Sequence, residues 1–281
     1  MKFEYQCSTF YKVELENWLK NHDLKNEVIG GEFTNKCLYF SIWSTRKDCT
    51  LLLDELHRMA YIKPSVCVHY SDKDLSSAEL LTIRPKAMTM CIENEAESFR
   101  YDCCWSYMAD RFEIHKANHE EQTGIIMIKK EPSMTAKPVF WGPDDGRTII
   151  FADRKVRNLV EIENLNGISF QNVLLKNNDL SKRIFQLKAA QKICCEDIVW
   201  GKGVREIVCK MCGKKQFMLP STYQLHIHDA NIYHEIDFFT TERIFGEGIP
   251  QPIYIISQRF YQLLKQYKFT SRVDFTPVIL E

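Results

Sequence analysis

Thr148-Ile-Ile-Phe-Ala-Asp-Arg-Lys-Val-Arg-Asn-Leu-Val160 returns in altered form as Pro252-Ile-Tyr-Ile-Ile-Ser-Gln-Arg-Phe-Tyr-Gln-Leu-Leu264. Pairing Ile149 with Ile253 also aligns Phe151/Ile255, Val156/Phe260, Leu159/Leu263, Val160/Leu264 and Leu165/Phe269. One extra residue then aligns Ile168/Val273, Phe170/Phe275 and Val173/Val278. In each copy a short apolar run meets an oxygen-bearing residue, Asp153 or Ser257, and then apolar residues at helical spacing. Asp and Ser cap the first orphan N–H groups of a helix, so both copies are predicted to be strand-helix-strand units. The repeat is rich in architecture and contains no phosphate loop, carboxylate pair or nucleophile beside a base.

Outward from this repeat the chain divides into regions. Residues 1–95 alternate strand-like runs (Phe3–Cys7, Cys37–Trp43, Val66–Tyr70) with helical stripes at Val13–Leu19 and Lys47–Ala60. A third helix is predicted from Asp72, carrying Leu75, Ala78 and Leu81 and ending before Pro85. The expected fold is α+β: an N-terminal α/β sandwich over residues 1–95, a linker over 96–147, and a pseudo-duplicated strand-helix-strand region over 148–281. A cysteine insert resembling a zinc knuckle, residues 194–234, separates the two copies.

Composition narrows the function classes. The 281 residues are 45% hydrophobic and 12% aromatic, enough for substantial cores. Lys plus Arg equals Asp plus Glu at 37 each, so no whole-molecule field draws the chain to nucleic acid or anionic lipid. The first residues lack the apolar core of a signal peptide, and no window approaches the ~18 uninterrupted apolar residues of a membrane span. A cytoplasmic protein is expected. Its 11 cysteines are then reduced; Cys37, Cys49 and Cys67, set singly in apolar stretches, are expected to be small buried hydrophobes.

Cys209-Lys-Met-Cys212-Gly213 is the sharpest local signal. Two thiolates in a glycine-terminated turn suit zinc, with further ligands available from Cys194 or Cys195 and from His226 or His228. A metal-free turn and a redox dithiol are the other readings. Cys103, Cys104, His115 and His119 form a second candidate metal set or else a buried thiol pair beside surface histidines. Around the knuckle, Lys202, Arg205, Lys210, Lys214 and Lys215 face one acid, Glu206. That stretch is either a phosphate-contacting surface or a solvated lysine face. Phe238, Phe239 and Phe245 fall in a Gly-flanked irregular stretch and are expected to be exposed partner anchors.

Cys209-Lys-Met-Cys-Gly, Asp237-Phe-Phe-Thr-Thr-Glu-Arg-Ile-Phe-Gly and Ile256-Ser-Gln-Arg-Phe-Tyr-Gln-Leu-Leu, with Val273-Asp-Phe-Thr-Pro-Val, resemble the bacterial double-CXXCG or immunity-like proteins. The resemblance spans residues 194–281. Cys194-Cys195 stands where a first CxxCG belongs. The resemblance implies a cytosolic, non-enzymatic antidote that binds and neutralises a polymorphic toxin; zinc is the cofactor expected from the cysteine turn itself. The alternative is a nucleic-acid-associated zinc protein.

Overall fold

A computed structural model describes residues 2–10, 12–29, 37–60, 65–101, 120–133, 137–144, 147–208, 213, 215–220, 223–228, 235–242, 244–245 and 251–281. They form two compact units, Met1–Asp74 and Leu75–Glu281. The boundary expected near residue 95 therefore falls inside the second unit. The candidate metal residues Cys103, Cys104, His115 and His119 lie outside the described residues.

In the first unit, β1 (Lys2–Phe10), α1 (Val13–Asn21), β2 (Asn26–Ile29), β3 (Cys37–Trp43), α2 (Cys49–Ala60) and β4 (Ser65–His69) make an antiparallel sheet of order β2-β3-β1-β4 packed with two helices. Alternation in β3 sends Leu38, Phe40 and Ile42 inward, where they meet Leu15 and Leu19 of α1 and Leu52 and Leu56 of α2. The unit is mixed α and β as expected, over residues 1–74 and not 1–95. Cys49 is buried; Cys37 and Cys67 are only half-buried.

The chain continues through α3 (Asp72–Ser77), β5 (Leu80–Pro85), β6 (Met88–Met90), α4 (Glu95–Ser98), β7 (Phe99–Tyr101), β8 (Glu120–Gln122), β9 (Met127–Ile128) and β10 (Phe140–Pro143). Leu81, expected on the third helix, lies in β5, because Leu-Leu-Thr-Ile packs as a strand between two others. Next come β11 (Phe151–Asp153), α5 (Arg154–Glu163), β12 (Ile168–Leu175), β13 (Leu180–Ala189), β14 (Lys192–Ile193), β15 (Arg205–Val208), β16 (Lys215–Met218) and β17 (His226–Ile227). The chain closes with β18 (Phe238–Thr241), β19 (Tyr254–Ser257), α6 (Gln258–Gln266), β20 (Val273–Pro277) and β21 (Ile279–Leu280).

Both predicted strand-helix-strand units are present. Asp153 accepts a hydrogen bond from Lys155 N and Ser257 from Phe260 N, each capping its helix. The equivalent residues Val156 and Phe260 are fully buried.

The duplication is larger than its helical centre. One sheet runs β6-β10-β11-β13-β12-β9 and the other β14-β18-β19-β5-β20. The displacement that carries Phe151 onto Ile255 also carries Leu80-Leu-Thr-Ile-Arg-Pro85 (β5) onto Ile184-Phe-Gln-Leu-Lys-Ala189 in β13. Their pairings agree: Ile255↔Thr82 matches Phe151↔Gln186, and Phe275↔Ile83 matches Phe170↔Leu187. Phe140↔Ala152 matches Phe238↔Ile256, and the β7–β8 hairpin matches β15–β16. The residues expected as an insert after Cys194 thus belong to the second copy, and much of the expected linker belongs to the first.

The matched strands β5 and β13 are exchanged. β5 lies between β19 and β20 in the second sheet, and β13 lies between β11 and β12 in the first. Each copy therefore supplies an inner strand to the other's sheet. A shared core of Phe140, Ile150, Val156, Phe238, Tyr254 and Phe260 joins the copies. Matched smaller cores hold Trp141, Ile126 and Ile184 on the outer face of the first sheet and Phe239, Leu225 and Leu80 on that of the second.

Candidate functional site

The two copies build the same hairpin from different residues, and a cleft lies beside the hairpin of the second. The displacement that carries Glu93 onto Val199 sets Arg100↔Glu121 of β7–β8 against Glu206↔Phe217 of β15–β16, with buried Phe99 against exposed Arg205. In the first copy Arg100 and Glu121 form an exposed ion pair at 2.9 Å. In the second, Phe217 is buried and stacks on Trp200 with ring centroids 3.8 Å apart and planes 16° from parallel. The backbone bond Val199 N to His226 O matches Glu93 N to Met127 O, so the counterpart of Trp200 is Asn94.

The cleft, open to solvent, has a volume of about 880 Å³ and is lined by Trp200, Val204, Phe217 and Ile244, with Cys195, Gly201, Glu196, Glu206, Glu242 and Lys215. Each wall has a local cause. Directly paired residues of an antiparallel ladder share a face, so Glu206 and Phe217 point together, as do Val208 and Lys215. Lys215 Nζ pairs with Glu206 Oε2 at 3.2 Å. Glu242 follows β18, and its carboxylate accepts from Cys195 N at 3.3 Å. Phe217 N donates to Ile244 O at 2.7 Å, closing the base.

The cleft presents aromatic faces, three carboxylates, one ammonium and one thiol. Burial pushes the Cys195 thiol above its ordinary range, and Glu196 and Glu242 reinforce the shift. At neutral pH it stays a thiol, which is a poor nucleophile. Burial and the neighbouring carboxylates of Glu242, Asp197 and Glu196 raise the Cys194 thiol as well.

Other expected site residues fall as follows. Cys209 and Cys212 lie outside the described residues; Gly213 takes the positive φ of 73° anticipated for the turn. Cys194 caps the short 3₁₀ turn Cys195–Asp197. His226 Nδ1 lies 2.6 Å from Glu281 Oε1, and His228 N donates to Asp197 O. Among the described residues no group of three or more His, Cys, Asp or Glu is placed to hold a metal. Lys202, Arg205 and Lys215 do not make one basic face: Arg205 projects from the side of the hairpin opposite Lys215, because strand side chains alternate. Lys210 and Lys214 lie outside the described residues. Phe238 and Phe239 are completely buried and Phe245 is 5% exposed. They are core residues and not exposed anchors, because β18 is covered on both faces.

A smaller cavity of about 410 Å³ is lined by Glu79, Asn166, Glu235, Asp237, Ser257, Gln258 and Arg259. Asp237 there accepts from Asn166 N and Ser257 Oγ, tying one copy to the other. No helix among the described residues is long and apolar enough to cross a membrane. Comparison with protein-family models, curated proteins and solved structures finds no match to this chain.

Proposed function

We propose that this is a non-enzymatic binding protein, an antidote that occludes a bacterial toxin in the cytoplasm, and that the Trp200 cleft is part of its contact face. The observation that carries this reading is the asymmetry of a duplicated scaffold. Among the described residues the first copy's hairpin carries the exposed Arg100–Glu121 pair and a buried Phe99, and Asn94 leaves no aromatic at the position of Trp200. Trp200 has no aromatic counterpart in the first copy, and positions that depart from what the fold requires mark function. Large aromatics set in a cleft are the residues that most often dominate binding energy. The acidic lining disfavours a phosphate backbone, and Lys215 already pairs with Glu206. The nucleic-acid reading is weaker on that ground.

A pull-down from the native host at low and high salt tests this. The expected result is one stoichiometric protein that survives high salt and binds at least about tenfold more weakly to Trp200→Ala, the scale of a central aromatic anchor. Recovery of salt-labile RNA or DNA alone would overturn the reading, since nucleic-acid contacts release counterions and weaken steeply with salt.

A further inference from the structure

Resting on that reading, we propose that the Trp200 cleft receives an arginine side chain from a basic segment of the protein partner. The lining carries three carboxylates, Glu196, Glu206 and Glu242, against a single cation among the described residues, Lys215. Lys215 and Glu206 already neutralise each other at 3.2 Å. Glu196 and Glu242 are left to face the cavity together with an indole ring.

A planar guanidinium fits this combination best. It stacks on an aromatic face while directing N–H donors sideways into carboxylates, which a compact ammonium does less well. Phe217 covers one face of the Trp200 ring, and a ring already packed on one side loses less conformational freedom when a cation stacks on it. An open cleft of about 880 Å³ has room for the side chain together with its backbone.

The experiment uses the full chain and needs no toxin. A tetra-arginine amide is titrated while tryptophan emission is recorded, with Trp200→Phe identifying the contribution of Trp200. The expected result is an emission change absent from Trp200→Phe. Calorimetric affinity should fall on the order of tenfold in Glu196→Gln/Glu242→Gln, whose amides retain the acceptor for Cys195 N. Unchanged thermal unfolding of that variant excludes a folding defect as the cause. Binding that the double variant leaves intact, no binding of the peptide, or tighter binding of tetra-glutamate or a short oligonucleotide would overturn the proposal. If tetra-arginine fails while Trp200→Ala still loses a protein partner, the arginine assignment falls and the antidote reading stands. If the peptide binds as expected but no protein partner is captured, the outcome is reversed.

Discussion

Phe238→Ala is expected to destabilise the second unit by about 3–5 kcal/mol, the cost of removing a buried aromatic ring. Phe238 is fully buried in the core shared by both copies and lies 5.6 Å from the Tyr254 ring in a stacked pair. Because that core also holds Phe140, Ile150 and Val156 of the first copy, the loss should not be confined to one sheet. Urea unfolding followed by circular dichroism should show one transition for residues 75–281, moved as a whole. Ile162→Ala, at a side chain 71% exposed, should change stability by less than about 0.5 kcal/mol. Binding per folded molecule should survive Phe238→Ala, which separates a core residue from the partner anchor suggested by its sequence surroundings.

The second large effect is at Asp153. It caps α5, and its other carboxylate oxygen pairs with Arg183 Nε at 2.7 Å, with Asp153 3% exposed. Ser257 caps α6 from the equivalent position and donates to Asp237. Removing one member of a buried ion pair strands the other charge, so Asp153→Ala should cost roughly 3–5 kcal/mol. Ser257→Ala should cost about 1–2 kcal/mol, a lost cap and one hydrogen bond. Asp153→Asn combined with Arg183→Met keeps the cap, removes both charges and should recover most of the loss. Equal costs for Asp153→Ala and Ser257→Ala would show that the ion pair contributes nothing.

The centre of each repeat was legible because a cap followed by apolar residues at helical spacing is local information. Its full extent was not. Leu80–Pro85 and Ile184–Ala189 match chemically position by position, yet a six-residue apolar strand carries too little periodicity to be told from a helix segment. Where such a strand pairs depends on contacts distant in the chain. Phe238 and Phe239 misled for a related reason. Adjacent apolar residues beside Gly and Thr resemble a loop, whereas β18 sends Phe238 into the shared core and Phe239 into the outer one. The cleft was legible only as a flank: Trp200 and Phe217 stood out beside the basic residues, but the hairpin register that joins them to Glu206, and the turn of chain that brings Glu242, had no local signature.

The strand exchange is tested most directly by cutting the chain where the two copies meet. The turn between β12 and β13 is exposed from Lys176 to Asp179, so a protease site between Asn177 and Asn178 leaves every strand whole. With β5 an inner strand of the second sheet and β13 an inner strand of the first, the cleaved halves should co-elute in native gel filtration. They should unfold in one transition and part only in denaturant. Halves that separate under native conditions, with either one retaining its folded spectrum, would contradict the exchange.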